Sequence, residues 1–455
     1  HTRFRNVTGV QTCALPIWVD PGARGGPPLA LINVRLLDPA SDTDQLGGLV
    51  IADGAIADVG PHLARAGAVA GIEAIDGSAA CLAPGLIDMR VQLREPGEEH
   101  KETFATASSA AAAGGITSMV ALPNTHPVID DAALVESIAR RARETSRVRI
   151  FTYAAVTRGM AGKEMTEFGL LSAAGALGFT DGLQPVANSQ VMRRALFYAS
   201  TFGKVIIQHP EDPGLGGNGG MNAGEIATRL GLPSIPPLAE VMQVERDLRL
   251  AQMTNGRLHI PHVSTGAAIN AIRRAKARGG KVTCDTAPPY FALNEIAVGD
   301  YRTFAKLSPP LRSEADRRAV IEGLKDGTID AIASDHAPHD QEAKRLPFAQ
   351  AAVGMIGLET LLCISLDLVH NKHLTLLEML RKMTVAPASI LGLPYGKLAK
   401  GAPADLVLFD PERAWKIAEK DFRSKSKNSA FDGRPVQGRA LRTWIAGRTA
   451  FALVT

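Results

Sequence analysis

Between residues 81 and 390 short apolar runs alternate with helical stretches, and no Pro/Ser-rich linker interrupts the rhythm. A run that is followed by a helix cannot pair with the next run through a tight hairpin. It must cross over, so the pattern dictates a parallel sheet wrapped by helices. Eight strands are expected, at 86–92, 116–122, 148–153, 176–181, 204–209, 257–263, 281–285 and 329–335. Most of these end in polar or ionisable residues. Chemistry sits at that C-terminal mouth in an α/β chain of the (β/α)8 TIM-like barrel type. Residues 191–198 and 239–253 carry the apolar spacing of covering helices.

The two ends of the chain read differently. From Pro28 to Asp76, β-rich runs at 29–37 and 49–52 alternate with Asp-Gly and Gly-Gly turns, which favours a small antiparallel sheet. Runs at 396–401, 404–409 and 441–446 again read as strands. The expected organisation is therefore a barrel over 81–390 and one small composite β-sandwich domain made from 27–80 and 391–455. Residues 1–26 stand apart. Val7 to Ile17 reads as the translation of a sequencing-library adapter, and the segment is taken as non-native.

A chain of 455 residues, 45% hydrophobic and 21% charged, can bury a large core. Its net charge of +4 is spread along the sequence, so no basic strip points to nucleic acid. Cys13, Cys81, Cys284 and Cys363 form no Cys-x-x-Cys pair, and a reducing, cytoplasmic setting is expected. No apolar run approaches the roughly 18 residues of a membrane span.

The stretch at 81–97, CLAPGLIDMRVQLREPG, carries the strongest motif. It resembles the first barrel strand of the dihydroorotases, cyclic-amide hydrolases of the amidohydrolase superfamily. There the pattern is Pro-Gly-x-x-Asp-x-His-x-His-x-Arg-Glu-Pro-Gly, and the resemblance implies that both histidines bind a catalytic metal. In this chain the two positions hold Arg90 and Gln92. Arginine has no lone pair to offer, and a glutamine amide is a poor ligand beside imidazole.

The resemblance extends over nearly the whole chain after residue 28 and assigns further residues. Arg94 matches the arginine that grips a substrate carboxylate, Asn124 in Pro-Asn-Thr a second carboxylate contact, and His339 in Asp-His-Ala-Pro-His a substrate contact. His209 and His262 match the two imidazoles of one metal, and Asp335 the acid that binds metal and shuttles the proton. Gly182 stands where the metal-bridging aspartate belongs, and Ser308 where a substrate-contacting asparagine belongs. Thr286-Ala-Pro-Pro-Tyr290 departs from the usual Thr-Pro-His-His. Without the family pattern, Arg94 reads as a buried ion pair and Asn124 as a strand-end turn; Asp335 is open to reading as a cap, and Asp181 reads as a structural hydrogen-bond acceptor.

Two functions follow from this resemblance. In the first the chain is a catalytically degenerate homologue, closest to the metal-ligand-deficient dihydroorotase-like group that serves aspartate carbamoyltransferase in pyrimidine biosynthesis. Arg90 then replaces the metal as counter-charge to Asp335. In the second it is an active enzyme with one zinc on His209, His262 and Asp335, interconverting N-carbamoyl-L-aspartate and dihydroorotate. A small carboxylated cyclic amide is the expected ligand, and an assembly of identical copies the expected state.

Overall fold

A computed structural model describes residues 26–65 and 71–454. The adapter-like reading of residues 1–26 falls, but for Gly26, outside them, and so does Cys13.

All eight expected barrel strands are present and parallel, and all but the seventh, Val282–Thr286, are shorter than their apolar runs. Leu86–Val91, Ile116–Ala121 and Arg149–Thr152 form one sheet, and Gly178–Phe179, Val205–Ile207, Arg257–Ile260, Val282–Thr286 and Ala331–Ile332 another. Parallel bridges Ala154↔Phe179 and Val91↔His336 join these sheets on both sides, so the ring closes on itself. The strands shorten because the residues after them leave the sheet to form the mouth. Helices Ser189–Thr201 and Leu238–Thr254 contain the two predicted helical stretches. Asn188 caps the first, its side chain accepting from the amides of Gln190 and Val191, which fixes where that helix starts.

Both chain ends build one continuous eight-stranded sheet. Its order runs Arg448–Ala452, Pro435–Ile445, Leu406–Lys416, Cys81–Pro84, Leu29–Asp38, Thr43–Ala52 and Ala55–Gly60, with Glu73–Asp76 also on Leu29–Asp38. The pairing is not wholly antiparallel. Glu73–Asp76 and Cys81–Pro84 lie parallel to Leu29–Asp38, because the chain returns by a crossover through the 3-10 turn Pro61–Leu63 rather than by a hairpin. Segment 396–401 is a turn and not a strand. Gly396 and Gly401 both have positive φ, which breaks the pleat, while buried Leu398 pins the turn to the sheet.

Cys81–Pro84 is the hinge of the design, since it bonds to a strand from each end and leads directly into the first barrel strand. A second tie is ionic. Arg149, at the start of the third barrel strand, donates to both oxygens of Asp405 at 2.7 and 3.2 Å, and both side chains are more than nine-tenths buried. The mouth lies at the opposite ends of these strands. Among the described residues no helix is long and apolar enough to cross a membrane.

Candidate active site

The strand ends converge on one charged cluster. Arg90, only 2% exposed, extends from the first strand and donates from Nε to Oδ1 of Asp335 at 2.8 Å and from Nη2 to the carbonyl of Gly182 at 3.1 Å. The other carboxylate oxygen of Asp335 lies 3.0 Å from Nδ1 of His262, whose Nε2 faces Nδ1 of His209 at 3.0 Å. Nε2 of His209 in turn meets Oγ of Ser308 at 3.3 Å. Five side chains from five separate segments thus form one chain of polar contacts.

Electrostatics follow from that geometry. Burial pushes the Asp335 carboxyl up, but His262 and Arg90, by charge and hydrogen bonds, outweigh it and hold Asp335 well below the usual carboxylate range. Burial lowers His209 far below an ordinary imidazole, helped by His262 and Arg90, so its ring is neutral. Arg94, His262 and Asp335 all adopt positive φ. Non-glycine residues hold that conformation at a cost of order 1–3 kcal/mol each, and only where the surroundings over-determine it. One such constraint is visible: Oδ1 of Asp285 accepts the His262 amide at 2.7 Å, while Oδ2 of Asp285 pairs with Nε2 of His259 at 2.9 Å.

The residues matched to carboxylate binding are tied to one another. Arg94 donates from Nε to the carbonyl of Pro338 at 3.1 Å and from Nη1 to Glu98 at 3.0 Å, and its Nη2 lies 3.2 Å from Nε2 of His339. That imidazole nitrogen also sits 2.9 Å from the carbonyl of Val353. A carbonyl only accepts, so Nε2 of His339 carries the proton and has no lone pair for Arg94. Nη2 of Arg94 is left as a cationic donor without an acceptor. His339 stays neutral, since burial and the nearby charges of Arg94 and Lys344 push it down to about 3. Asn124 donates to Oε1 of Gln92 at 3.1 Å, so Gln92 holds the Asn124 amide in place.

At the fourth strand, Asp181 accepts from the amide and hydroxyl of Thr157 at 2.9 and 2.5 Å, and burial pushes it up to about 6. Both of its oxygens are thus turned to Thr157. Gly182 has φ of 67° and room beside it, a Cβ there meeting Asn124 at 3.5 Å and Met160 at 3.7 Å.

Whether these residues fit a metal is decided by their lone pairs. Each oxygen of Asp335 already accepts one hydrogen bond, from Arg90 and from His262, so a metal would have to share the carboxylate with a fixed cation. Two imidazole nitrogens remain, facing each other, whereas a catalytic zinc takes three protein ligands. Among the described residues no three His, Cys, Asp or Glu side chains are arranged to hold a metal. A guanidinium beside the vacated ligand positions adds repulsion to any dication. The residues present do not fit a metal.

Several participants are not marked by any sequence pattern. Asp285 and Glu240, which accepts from the amides of Ser264 and Thr265 at 2.9 and 3.0 Å, act through contacts far apart in sequence. Glu98 lies only four residues from Arg94, across the turn at Pro96 and Gly97.

Comparison with known proteins follows the same lines. A family model described as "Dihydro-orotase-like" matches residues 79–268, and one described as "Amidohydrolase family" matches 239–451. A dihydroorotase of Anaplasma phagocytophilum is 46% identical over 426 residues, covering 93% of this chain and 95% of that protein. One of Syntrophobacter fumaroxidans is 46% identical over 421 residues, covering 92% and 96%. Among solved structures, the L-hydantoinase of Arthrobacter aurescens superposes with a TM-score of 0.84 at 25% identity, covering 94% of this chain and 98% of its own. A dihydropyrimidinase of Brevibacillus agri gives 0.81 at 22% identity, over 93% and 95%, and shares the fold.

Proposed function

The chain belongs to the dihydroorotase family of pyrimidine biosynthesis, and we propose that it is a member that has given up metal-dependent catalysis and acts as a structural partner of aspartate carbamoyltransferase. One observation carries the first half of this reading. Arg90 occupies a metal-ligand position and closes on Asp335 at 2.8 Å, so a fixed cation stands in for the ion. In the family's reaction a metal supplies hydroxide at neutral pH by lowering the pKa of bound water to about 7. Nothing in the Arg90 guanidinium replaces that, because arginine neither binds a water as a Lewis acid nor takes up a proton. Asp335, paired and strongly acidic, is a poor proton acceptor.

The partner is carried over from dihydroorotase-like proteins that lack metal ligands, on the strength of the replacements at Arg90, Gln92 and Gly182. The mouth supports a residual role as a carboxylate-binding pocket, through Nη2 of Arg94 and the amide of Asn124. The one-metal alternative would set the ion beside the guanidinium already paired with Asp335, and that fixed positive charge disfavours a dication there.

The test is to purify the chain without chelator, measure its metal content, and assay dihydroorotate hydrolysis on the same sample. Co-purification with aspartate carbamoyltransferase is then read by size-exclusion chromatography. No metal, no turnover and a stable complex are expected. About one zinc per chain, with turnover lost on replacing His209 or His262, would overturn the reading.

A further inference from the structure

A second concave surface lies at the foot of the barrel, on the face opposite the mouth. Helix Leu238–Thr254 leads into the strand Arg257–Ile260, and helix Gly266–Ala277 leads into the strand Val282–Thr286, so both helices end where those strands begin. The two helices pack against each other. Between their last turns they leave a groove of about 450 Å³, bordered by residues 279–282 and within the range of about 300–1,000 Å³ usual for small-molecule sites. Leu248 and Ala251 on one helix, Ala271 and Ala275 on the other, and Val282 form its apolar floor, and all five are buried. The spacing of 271 and 275 sets both alanines on one helix face, and alanine is too short to fill the space between the two backbones.

The rim of the groove is cationic. Arg249, Arg274, Arg278 and Lys281 line it against a single carboxylate, Glu245, which leaves three positive charges in excess. Arg274 is partnered there, its Nη2 lying 3.5 Å from Oε1 of Glu245. Among the described residues, Arg249, Arg278 and Lys281 have no acidic partner. Basic side chains commonly offset the carboxyl end of a helix, and two such ends meet here. Each carries only about half a negative charge, so about two positive charges remain once both ends are offset. Like charges gathered around one hollow repel, and an anion seated between them relieves that repulsion.

We propose that this groove is a binding site for a nucleoside phosphate. A phosphate monoester carries about −1.5 to −2 charge near pH 7, which matches the charge left uncompensated on the rim. Arg249, Arg278 and Lys281 donate to its oxygens without a competing carboxylate, and the two guanidinium groups suit bidentate contact. The apolar floor takes the face of the base, and the exposed side-chain amides of Gln252 and Asn255 on the same rim offer a donor and an acceptor for its edge. A bare phosphate leaves the floor unused. A nucleic acid needs a continuous basic track, which the even spread of charge along the chain does not provide. The groove shares no residue with the mouth, so this inference goes beyond the proposed function and does not depend on it.

The experiment titrates the full chain with adenosine and uridine 5′-monophosphates by calorimetry at physiological ionic strength, and with adenosine, uridine and inorganic phosphate beside them. Saturable binding of a mononucleotide at one site per chain is expected, with the free nucleosides and inorganic phosphate weaker by about tenfold or more. Arg249→Gln with Arg278→Gln is expected to weaken mononucleotide binding by about tenfold or more. Arg140→Gln with Arg229→Gln removes the same charge from exposed positions outside the groove and is expected to leave the affinity unchanged. All four arginines are exposed, and near-UV circular dichroism checks that both variants are folded. The inference is overturned if neither mononucleotide binds saturably, or if inorganic phosphate binds as tightly as they do. It is equally overturned if the groove variant keeps the parent affinity, or if the two double variants lose affinity alike.

Discussion

Nε of Arg90 donates to Oδ1 of Asp335 across 2.8 Å, joining the first barrel strand to the eighth at the mouth. The pair is asymmetric in exposure: Arg90 has 2% of its side chain accessible and Asp335 18%. Removing the arginine therefore strands a carboxylate in a poorly solvated place.

Replacing Arg90 with Met is predicted to destabilise the fold by about 3–5 kcal/mol at neutral pH, the usual cost of breaking a buried pair on one side. Urea unfolding measures it. The double replacement Arg90→Met with Asp335→Asn is predicted to recover most of the loss. A single variant as stable as the parent would mean that Asp335 is held by His262 alone.

Arg94 is partly neutralised by Glu98, which accepts from Nη1 at 3.0 Å. Glu98→Gln is predicted to strengthen binding of dihydroorotate or N-carbamoyl-aspartate by about tenfold, because one competing charge leaves a buried guanidinium. Titration calorimetry at constant ionic strength reads the change. Arg94→Ala is predicted to abolish the binding heat altogether.

Zinc is predicted to leave the melting temperature of the native chain unchanged, since the facing imidazole nitrogens of His209 and His262 are joined to each other at 3.0 Å and Asp335 is paired with Arg90. Arg90→His with Gln92→His removes the cation and adds two imidazoles beside Asp335. In that variant zinc at 100 times its dissociation constant should add about 2.7 kcal/mol of stability. Calorimetry with and without zinc distinguishes the two, and equal shifts in both chains would contradict the fit argued above.

Lys344 supplies a pH signature. It is 2% exposed, and burial, with repulsion from Lys306, pushes its ammonium down to about 7 from an ordinary 10.5. Below pH 7 it is charged both folded and unfolded, so the burial penalty is fully present. Between pH 7 and 10.5 the unfolded chain binds more protons, and stability contributed by this group rises with pH. Lys344→Met is predicted to remove that rise. The comparison is the difference in unfolding free energy between variant and parent at pH 6.5 and at pH 9, expected to shrink by on the order of 1–3 kcal/mol.

Sequence alone determined the strand-helix alternation, because a crossover connection leaves a run of apolar residues no other economical pairing. It also pointed to the strand ends that the structure gathers into one polar cluster, and it set Arg90, Gln92 and Gly182 apart from the residues expected at those positions. The eight strands appear where their apolar runs lie. Segment 396–401 was misread because backbone sign at two glycines, not side-chain pattern, decides against a strand.

What only the tertiary structure decided is how the remaining residues share their lone pairs. Arg90 and Asp335 are 245 positions apart, and no spacing reveals that one guanidinium would close on one carboxylate. The same holds for Asn124 on Gln92, for Asp285 behind His262, and for the line from Asp335 through two imidazoles to Ser308. Hydrogen bonds act over about 3 Å and depend on direction, so they are set by where the barrel brings strand ends together. Composition and periodicity act through burial, which each segment carries in its own sequence.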